Sequence, residues 1–401
     1  MNMIKNIIYI HDQVYISGGA AKIAIQAAIS LKEMGYRVIY FSALGPADEA
    51  LKKSDVEIIT IGGNHIGQTK KPTALINAIW NKNANRKLMS LLSRLNPEET
   101  VVHIHGWTKV LSASIFDACR KRGVRTLVTM HDYFTVCGNG GLYNYKTGSI
   151  CKLKPLSAKC LLCNCDKKNY VNKIYRNIRQ IITHRALMKC RPDVIYISNY
   201  SRRILEQYVD FSNKTYLVEN HVDIFSEKKI NAVENECFLF IGRISDEKGP
   251  DIFCEAISKT GSKGIVIGEG PMRVNLEKKY PNIVFTGWLS ASEMDNYLLK
   301  ARCLIITSKL HETMGLTVIE ALGRGIPCIV SRKCAASEYI DDDKTGLVYN
   351  IEDIDDLINK INKIKNDDFT EMLVRNINKS FEPSRFGMER HIAELVKVYE
   401  K

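Results

Sequence analysis

The stretch at residues 304–330, LIITSKLHETMGLTVIEALGRGIPCIV, limits the possible folds more than any other part of the chain. Residues 304–307 are a short apolar run of strand-favouring residues, and residues 316–322 have the apolar content of a half-buried helix. A polar turn ending at Gly315 separates them, and Gly325 with Pro327 ends the helix before a second apolar run at 328–330. Strand, helix and strand in so short a span form a βαβ unit. Two carboxylates, Glu312 and Glu320, stand eight residues apart, one on the loop and one among Val318, Ile319, Ala321 and Leu322. A lone carboxylate among such neighbours is costly to desolvate, so Glu320 is expected to have a partner. A ligand carrying hydroxyl groups at the mouth of the loop would satisfy both acids; the competing reading is a solvent-facing helix Glu beside an ordinary loop Glu.

The same alternation runs through the rest of the chain. Residues 7–11 read as a strand, 20–34 as a helix ending at Gly35, and 37–41 as a strand, with Gly18 and Gly19 in the intervening turn where backbone can approach a phosphate. Strands at 56–61, 101–104 and 125–130 alternate with helices at 72–95 and 112–122. His105 and His131 stand at strand ends, where ligands of open parallel sheets collect. His103 and His105 share one face by alternation, without a carboxylate or cysteine spacing that would make them a metal site. A helix at 172–189, a strand at 194–198 and a helix at 201–209 follow, with Arg202 and Arg203 at the start of the last, an unfavourable end for cations. Residues 220–236 are polar and read as the interdomain linker. The alternation restarts at 238–241, and Arg243 and Lys248 follow that strand in a loop suited to holding phosphate. Strands at 263–267 and 283–286 and helices at 250–258 and 291–300 lead back to the opening stretch; 352–366 and 370–400 read as surface helices.

Residues 132–170 break the rhythm with Gly, Asn, Lys and Tyr and five cysteines. A loop of this length needs a staple or a partner. Cys160 and Cys163 form a C-x-x-C pair, and Cys137 with Cys151 would complete a tetrahedral structural zinc site, with Cys165 as a substitute ligand. Free thiols and a redox role are the alternatives. Cys237, Cys254, Cys303 and Cys328 sit in apolar runs and read as small buried hydrophobes.

Length favours two domains, 1–212 and 213–384, with 385–401 packing back onto the first. No apolar run is long enough to span a bilayer, and residues 1–10 lead directly into a strand, an N-terminus expected of a cytoplasmic protein. Residues 1–212 carry 31 Lys and Arg against 14 Asp and Glu, a net +17, whereas residues 213–401 carry 26 against 30, a net −4. The first half is therefore expected to meet something anionic, nucleic acid or the inner face of a membrane.

These motifs together resemble those of the retaining glycosyltransferases of family 4, over nearly the whole length. HETMGLTVIEALGRGIPCIV is similar to that family's E-x7-E motif, GRISDEKG at 242–249 to its phosphate loop, and SGG at 17–19, His105-Gly106 and TMHD at 129–132 to its other motifs. The resemblance implies the α/β GT-B fold, two Rossmann-like parallel-sheet domains facing each other across a cleft with the C-terminal helix crossing back. It implies Arg243 and Lys248 on the donor diphosphate, Glu320 on the ribose and Glu312 on the donor sugar. It also places the backbone of Met314, Gly315, Leu316 and Thr317 on sugar and phosphate, Gly18 and Gly19 over the phosphates, and His131 by the anomeric carbon. The departure is His221 in ENHVD, where the family usually has glycine.

The expected activity is transfer of a sugar from a nucleotide-diphosphate sugar to a saccharide acceptor, lipid-linked at an anionic membrane surface, in capsule or O-antigen assembly. Two cations and a helix terminus can hold a diphosphate, so no metal is required for catalysis; zinc would be structural only. A nucleotide-sugar 2-epimerase shares such a fold but needs acid/base carboxylates and no acceptor, and the paired acids favour transfer. A nucleic-acid-binding role is disfavoured, because the cysteine spacing makes no recognisable finger and stacking aromatics are not interleaved with the basic residues.

Overall fold

Each half of the chain builds its own parallel sheet in the computed structural model, which describes residues 3–63, 72–223 and 229–401. The first half runs β1 (Asn6–Gln13), α1 (Gly19–Glu33), β2 (Arg37–Leu44), α2 (Glu49–Lys53), β3 (Glu57–Thr60), α3 (Pro72–Ile79), α4 (Lys82–Leu92), β4 (Thr100–Gly106), α5 (Ser114–Arg122) and β5 (Arg125–Thr129). A hairpin of β6 (Tyr143–Asn144) and β7 (Ser149–Ile150) and the short α6 (Ala158–Leu162) lie in the cysteine-bearing insertion. Then come α7 (Tyr170–Cys190), β8 (Asp193–Tyr196), α8 (Asn199–Leu205) and β9 (Thr215–Leu217). The sheet order is β3-β2-β1-β4-β5-β8-β9. All eight residues of β1 are buried, because helices cover both faces of the sheet.

The second half runs β10 (Cys237–Ile241), α9 (Pro250–Thr260), β11 (Lys263–Ile267), α10 (Arg273–Lys279), β12 (Val284–Gly287), α11 (Ala291–Leu298), β13 (Ala301–Ile306), α12 (Leu316–Gly323), β14 (Cys328–Ser331) and β15 (Leu347–Tyr349). Its order is β12-β11-β10-β13-β14-β15. Cys254, Cys303 and Cys328 are fully buried in its core, and Cys237 is half-buried. Helices α13 (Ile354–Lys365), α14 (Asp367–Ser380) and α15 (Met388–Tyr399) close the chain.

Several expectations shift. The boundary at residue 212 falls too early, since β9 pairs with β8 and belongs to the first sheet. Residues 224–228 of the expected linker lie outside the described residues. The single helix expected at 370–400 is two, because Pro383 and Gly387 interrupt it. Helix α8 starts earlier than expected, so Arg202 and Arg203 occupy its last turn, the favourable end for cations, and pair with Glu206 and Glu338. Helix α15 returns to the first domain: Ile392, Leu395, Val398 and Tyr399 pack with Ile7, Tyr9 and Tyr40. The Tyr399 hydroxyl lies 2.9 Å from the Tyr9 hydroxyl and 2.7 Å from His103 Nδ1.

Candidate active site

In both sheets the strand order reverses at one point, between β1 and β4 in the first and between β10 and β13 in the second. Loops leaving adjacent strands there diverge to opposite faces and open a crevice at their carboxyl ends. Gly19 follows β1 and His131 follows β5 on one side; Lys248 follows β10 and Glu312 follows β13 on the other. The crevice between them is a cavity of about 350 Å³, lined by Gly19, His131, Lys248, Glu312, Met314, Gly315 and Leu316 among the expected residues. Gly18, Arg243, Thr317 and Glu320 lie outside that lining. Arg243 is exposed at the end of β10. A larger hollow of about 610 Å³, bordered by Tyr339, Phe381 and Arg385, lies elsewhere, and Arg385 is committed to Glu219 at 2.8 Å. Size does not select the site; convergence of charged groups does.

Lys248 and Glu312, expected on phosphate and sugar respectively, meet directly, Nζ to Oε1 at 2.6 Å. Ser308 donates to the same oxygen and Cys334 Sγ donates to the other at 3.6 Å. Burial pushes the Glu312 carboxyl up, but the Lys248 charge and the three hydrogen bonds outweigh it and hold the group below its ordinary value. The Lys248 ammonium is held above its ordinary value, because the Glu312 charge outweighs the cost of burial. The pair is thus an ionised unit at the floor of the crevice. Gly249 follows in a left-handed turn (φ 66°), and a side chain there would reach within 2.1 Å of the Thr307 carbonyl oxygen, so the Lys248 loop can rest on β13 only with glycine at this place.

Two helix N-termini aim at the cavity. Gly315 caps α12 at φ 82°, and a Cβ there would stand 2.6 Å from the Ala336 Cβ. Gly19 opens α1 opposite, its Cβ position 3.4 Å from Leu316 Cδ1. Unpaired backbone N–H groups and the positive ends of both dipoles therefore converge on an anion site. Glu320, one turn along α12, is half-buried; desolvation raises its carboxyl, and Lys22 from α1 and Arg324 offset part of that.

His131 lies at the wall, its Nε2 2.8 Å from His105 Nδ1, and its carbonyl accepts from Thr313 Oγ1 at 2.9 Å across the domain boundary. Burial, with His11 and His391 nearby, pushes the His131 imidazole down to about 3, so it is neutral. His103 and His105 are likewise driven well below the ordinary value by burial.

The cavity also draws on residues the sequence reading passed over. Asn220 Oδ1 and the Tyr133 hydroxyl are buried there without a hydrogen-bond partner among the described residues. His311 Nδ1 lies 2.6 Å from the Tyr200 hydroxyl, which itself donates to the Lys333 carbonyl, so Nδ1–H is the donor. His311 opens the HETMG stretch and Asn220 lies in ENHVD, but neither residue's own spacing marks it as a site residue. Gly140 and Gly141 bring the insertion to the rim, where Tyr143 donates to Asp246 at 3.1 Å and Lys167 pairs with Glu247 at 3.4 Å.

Among the described residues no group of three or more His, Cys, Asp or Glu side chains is placed to hold a metal ion. Cys137, Cys151, Cys160 and Cys165, rather than Cys163, border one hollow of about 20 Å³. The buried Lys173 ammonium stands 3.9 Å from Cys160 Sγ, so a cation already occupies the neighbourhood, and the amides of Asn139 and Asn144 reach Cys165 and Cys163.

With this geometry, two family comparisons acquire meaning. Residues 17–224 match the model described as Glycosyltransferase Family 4, and residues 222–381 match Glycosyl transferases group 1. An Escherichia coli UDP-Gal:alpha-D-GlcNAc-diphosphoundecaprenol alpha-1,3-galactosyltransferase is 26% identical over 53% of this chain and 60% of its own length. A Klebsiella pneumoniae uncharacterized 41.2 kDa protein in the cps region is 26% identical over 50% of this chain and 58% of its own length. The matches thus span less than two thirds of either relative. Anabaena Alr3699/HepE, solved in complex with UDP and glucose, superposes with a TM-score of 0.71 at 13% identity, covering 99% of this chain and 100% of that one, a likeness of fold.

Proposed function

The chain belongs to glycosyltransferase family 4 and has the GT-B fold, and from that premise we propose that it transfers a sugar from a nucleotide-diphosphate sugar to a saccharide acceptor with retention of anomeric configuration. The observation that carries the reading is the Lys248–Glu312 ion pair facing the N-termini of α12 and α1 across one crevice. In this reading the donor diphosphate lies against the α12 N-terminus, with Lys248 shared between it and Glu312 and with Arg243 reaching in from the rim. Glu312 is ionised and already accepts three hydrogen bonds, so it is a poor base and a good acceptor for sugar hydroxyls. His131 is neutral at physiological pH and suits a hydroxyl near the anomeric carbon rather than charge stabilisation. Glu320 accepts from the ribose. The departing diphosphate, its charge spread over two cations and a helix terminus, takes the acceptor's proton as the new glycosidic bond forms, without a metal ion.

The acceptor proposed is a lipid-linked saccharide in capsule or O-antigen assembly, supported by the diphosphoundecaprenol in the name of the Escherichia coli galactosyltransferase and by the similarity to an Escherichia coli O-antigen chain mannosyltransferase C. Among the described residues no helix is long and apolar enough to cross a membrane; the net +17 of residues 1–212 is what supports a position on an anionic membrane surface. The test is turnover of Lys248→Ala and Arg243→Ala with a nucleotide-sugar panel: each is expected to fall by about 10²–10³ with folding intact. Near-normal rates in both would overturn the phosphate assignment, and conversion of donor without acceptor would overturn transfer.

A further inference from the structure

Helix α7 is inverted along its first half. It buries Lys173, Arg179, Gln180 and Thr183 toward the protein, while Val171, Ile174 and Ile178, spaced to share one face, are 75%, 46% and 47% exposed. Arg185 and Met188 continue the outward stripe. Inward polar side chains need hydrogen bonds: Arg179 donates to the carbonyls of Thr108 and Gly138, and Gln180 to that of Thr135. Among the described residues the exposed aliphatics have no such account. Beside them α3, joined to α7 by the Tyr175 hydroxyl on the Leu75 carbonyl at 2.8 Å, adds exposed Leu75 and Ile76, and α6 adds Leu162. An apolar patch of this extent on a soluble surface marks an interaction site.

The charge around it selects the partner. Residues 133–192 contain twelve Lys and Arg and a single acid, Asp166. Asp166 is fully buried and ion-paired with Arg176 at 2.9 Å, so this segment shows solvent no carboxylate at all. A second copy of the chain would bring like charge against like in a two-fold contact. Nucleic acid would use stacking aromatics, and the stripe is aliphatic apart from Tyr170 at its start. Aliphatic side chains within a purely cationic frame match a bilayer carrying anionic headgroups.

We propose that the outward face of α7, with α3 and α6, is the surface by which this protein lies on an anionic membrane. The same segment supplies Gly140 and Gly141 to the crevice wall, so seating this face on the bilayer holds the crevice rim near the headgroups, where a lipid-linked acceptor presents its saccharide. That consequence rests on the proposed transfer; the surface itself does not.

The experiment is co-sedimentation of the full chain with vesicles of phosphatidylglycerol mixed with phosphatidylethanolamine, and with phosphatidylcholine alone. Wild type is expected to bind the first, less so as salt rises, and to ignore the second. The variant Val171→Ser, Ile174→Ser, Ile178→Ser changes only exposed side chains and is expected to bind at least about tenfold more weakly. The variant Val284→Ser, Leu299→Ser, on exposed apolar residues of the other domain, is expected to bind as wild type does. Unchanged binding by the triple variant, or no binding by wild type, overturns the proposal. So does a wild-type dimer that the triple variant converts to monomer, which would give the face to a second copy. Transfer to a soluble saccharide is measured in parallel, and its loss or persistence judges the proposed reaction separately.

Discussion

Lys248 and Glu312 lie 64 residues apart, each in its own motif, and the sequence assigns them separate ligands. They meet because β10 and β13 are neighbours at the point where the strand order reverses, so both loops leave the sheet side by side. Each partner keeps the other charged in a half-desolvated crevice, and losing one leaves a buried charge unpaired. Lys248→Met is therefore expected to destabilise by roughly 1–3 kcal/mol, Glu312→Gln by a similar amount, and the double variant by clearly less than their sum. Calorimetric unfolding of the four proteins reads that coupling directly; strict additivity would mean that the 2.6 Å contact contributes nothing to stability. Asn220 and Tyr133 were invisible to sequence reading for the opposite reason. A buried oxygen without a partner is a property of assembled neighbours, and an Asn or Tyr in a loop has no spacing that reveals it. C-x-x-C spacing likewise fixes two sulfurs in sequence, but it does not show that the Lys173 ammonium stands 3.9 Å from one of them, Cys160 Sγ.

At the scale of elements, the alternation of strands and helices was legible almost throughout, because strands buried on both faces are continuous apolar runs and their helices end at glycine. Connections within the insertion were not, since its hairpin strands have two residues each and take their order from contacts with α7 and the Asp246–Lys248 loop. Helix α12 shows what one residue does for an element. Gly315 has a left-handed conformation and almost touches Ala336, so Gly315→Ala must both strain the backbone and push the helix start away. The expected cost is about 1–3 kcal/mol of stability, with donor affinity lowered by about tenfold or more as the N–H groups lose their aim. Titration of the nucleoside diphosphate against wild type and variant measures the second effect, and an unchanged affinity would remove the α12 terminus from the phosphate site. The Tyr143–Asp246 bond acts one step further out: Tyr143→Phe is expected to raise the KM for donor a few-fold while leaving kcat nearly unchanged, because it loosens the Lys248 loop without touching the reacting atoms.

Across the whole molecule, the two domains and the returning α15 enclose a set of imidazoles that fold only in the neutral state. Burial pushes His131 and His221 down to about 3 and His391 to about 4, and drives His103 and His105 well below the ordinary value. Burial outweighs what compensation a proton finds, the Asp223 charge beside His221 and the Glu219 carbonyl 2.8 Å from His391 Nδ1. His221 Nε2 bonds to Gln26 while its Nδ1 is buried without a partner among the described residues; Asp223 and Lys22 flank it with opposing charges, and Arg390 adds positive charge beside His391. In the unfolded chain each of these rings titrates near 6.5. Because the folded values are the lower ones, the unfolded state binds protons first, so stability is complete above about pH 6.5 and declines as pH falls toward 4. Each ring contributes a slope of about 1.4 kcal/mol per pH unit in that window. Glu320 and Asp132, whose carboxyls desolvation raises, act in the opposite sense, two groups against seven once His11 and His311, also lowered by burial, are counted. The net slope is several kcal/mol per unit, comparable with the whole stability of a folded domain within two units. Melting temperature is thus expected to be flat from pH 8 to about 7 and to collapse between about pH 6 and 5. His221→Asn should flatten the decline by about one proton, at the position where the family usually has a glycine. A melting temperature that holds steady down to pH 5 would show that these rings accept protons in the folded state, and with it that the interface formed by α15 and the two sheets opens to water far more readily than its packing implies.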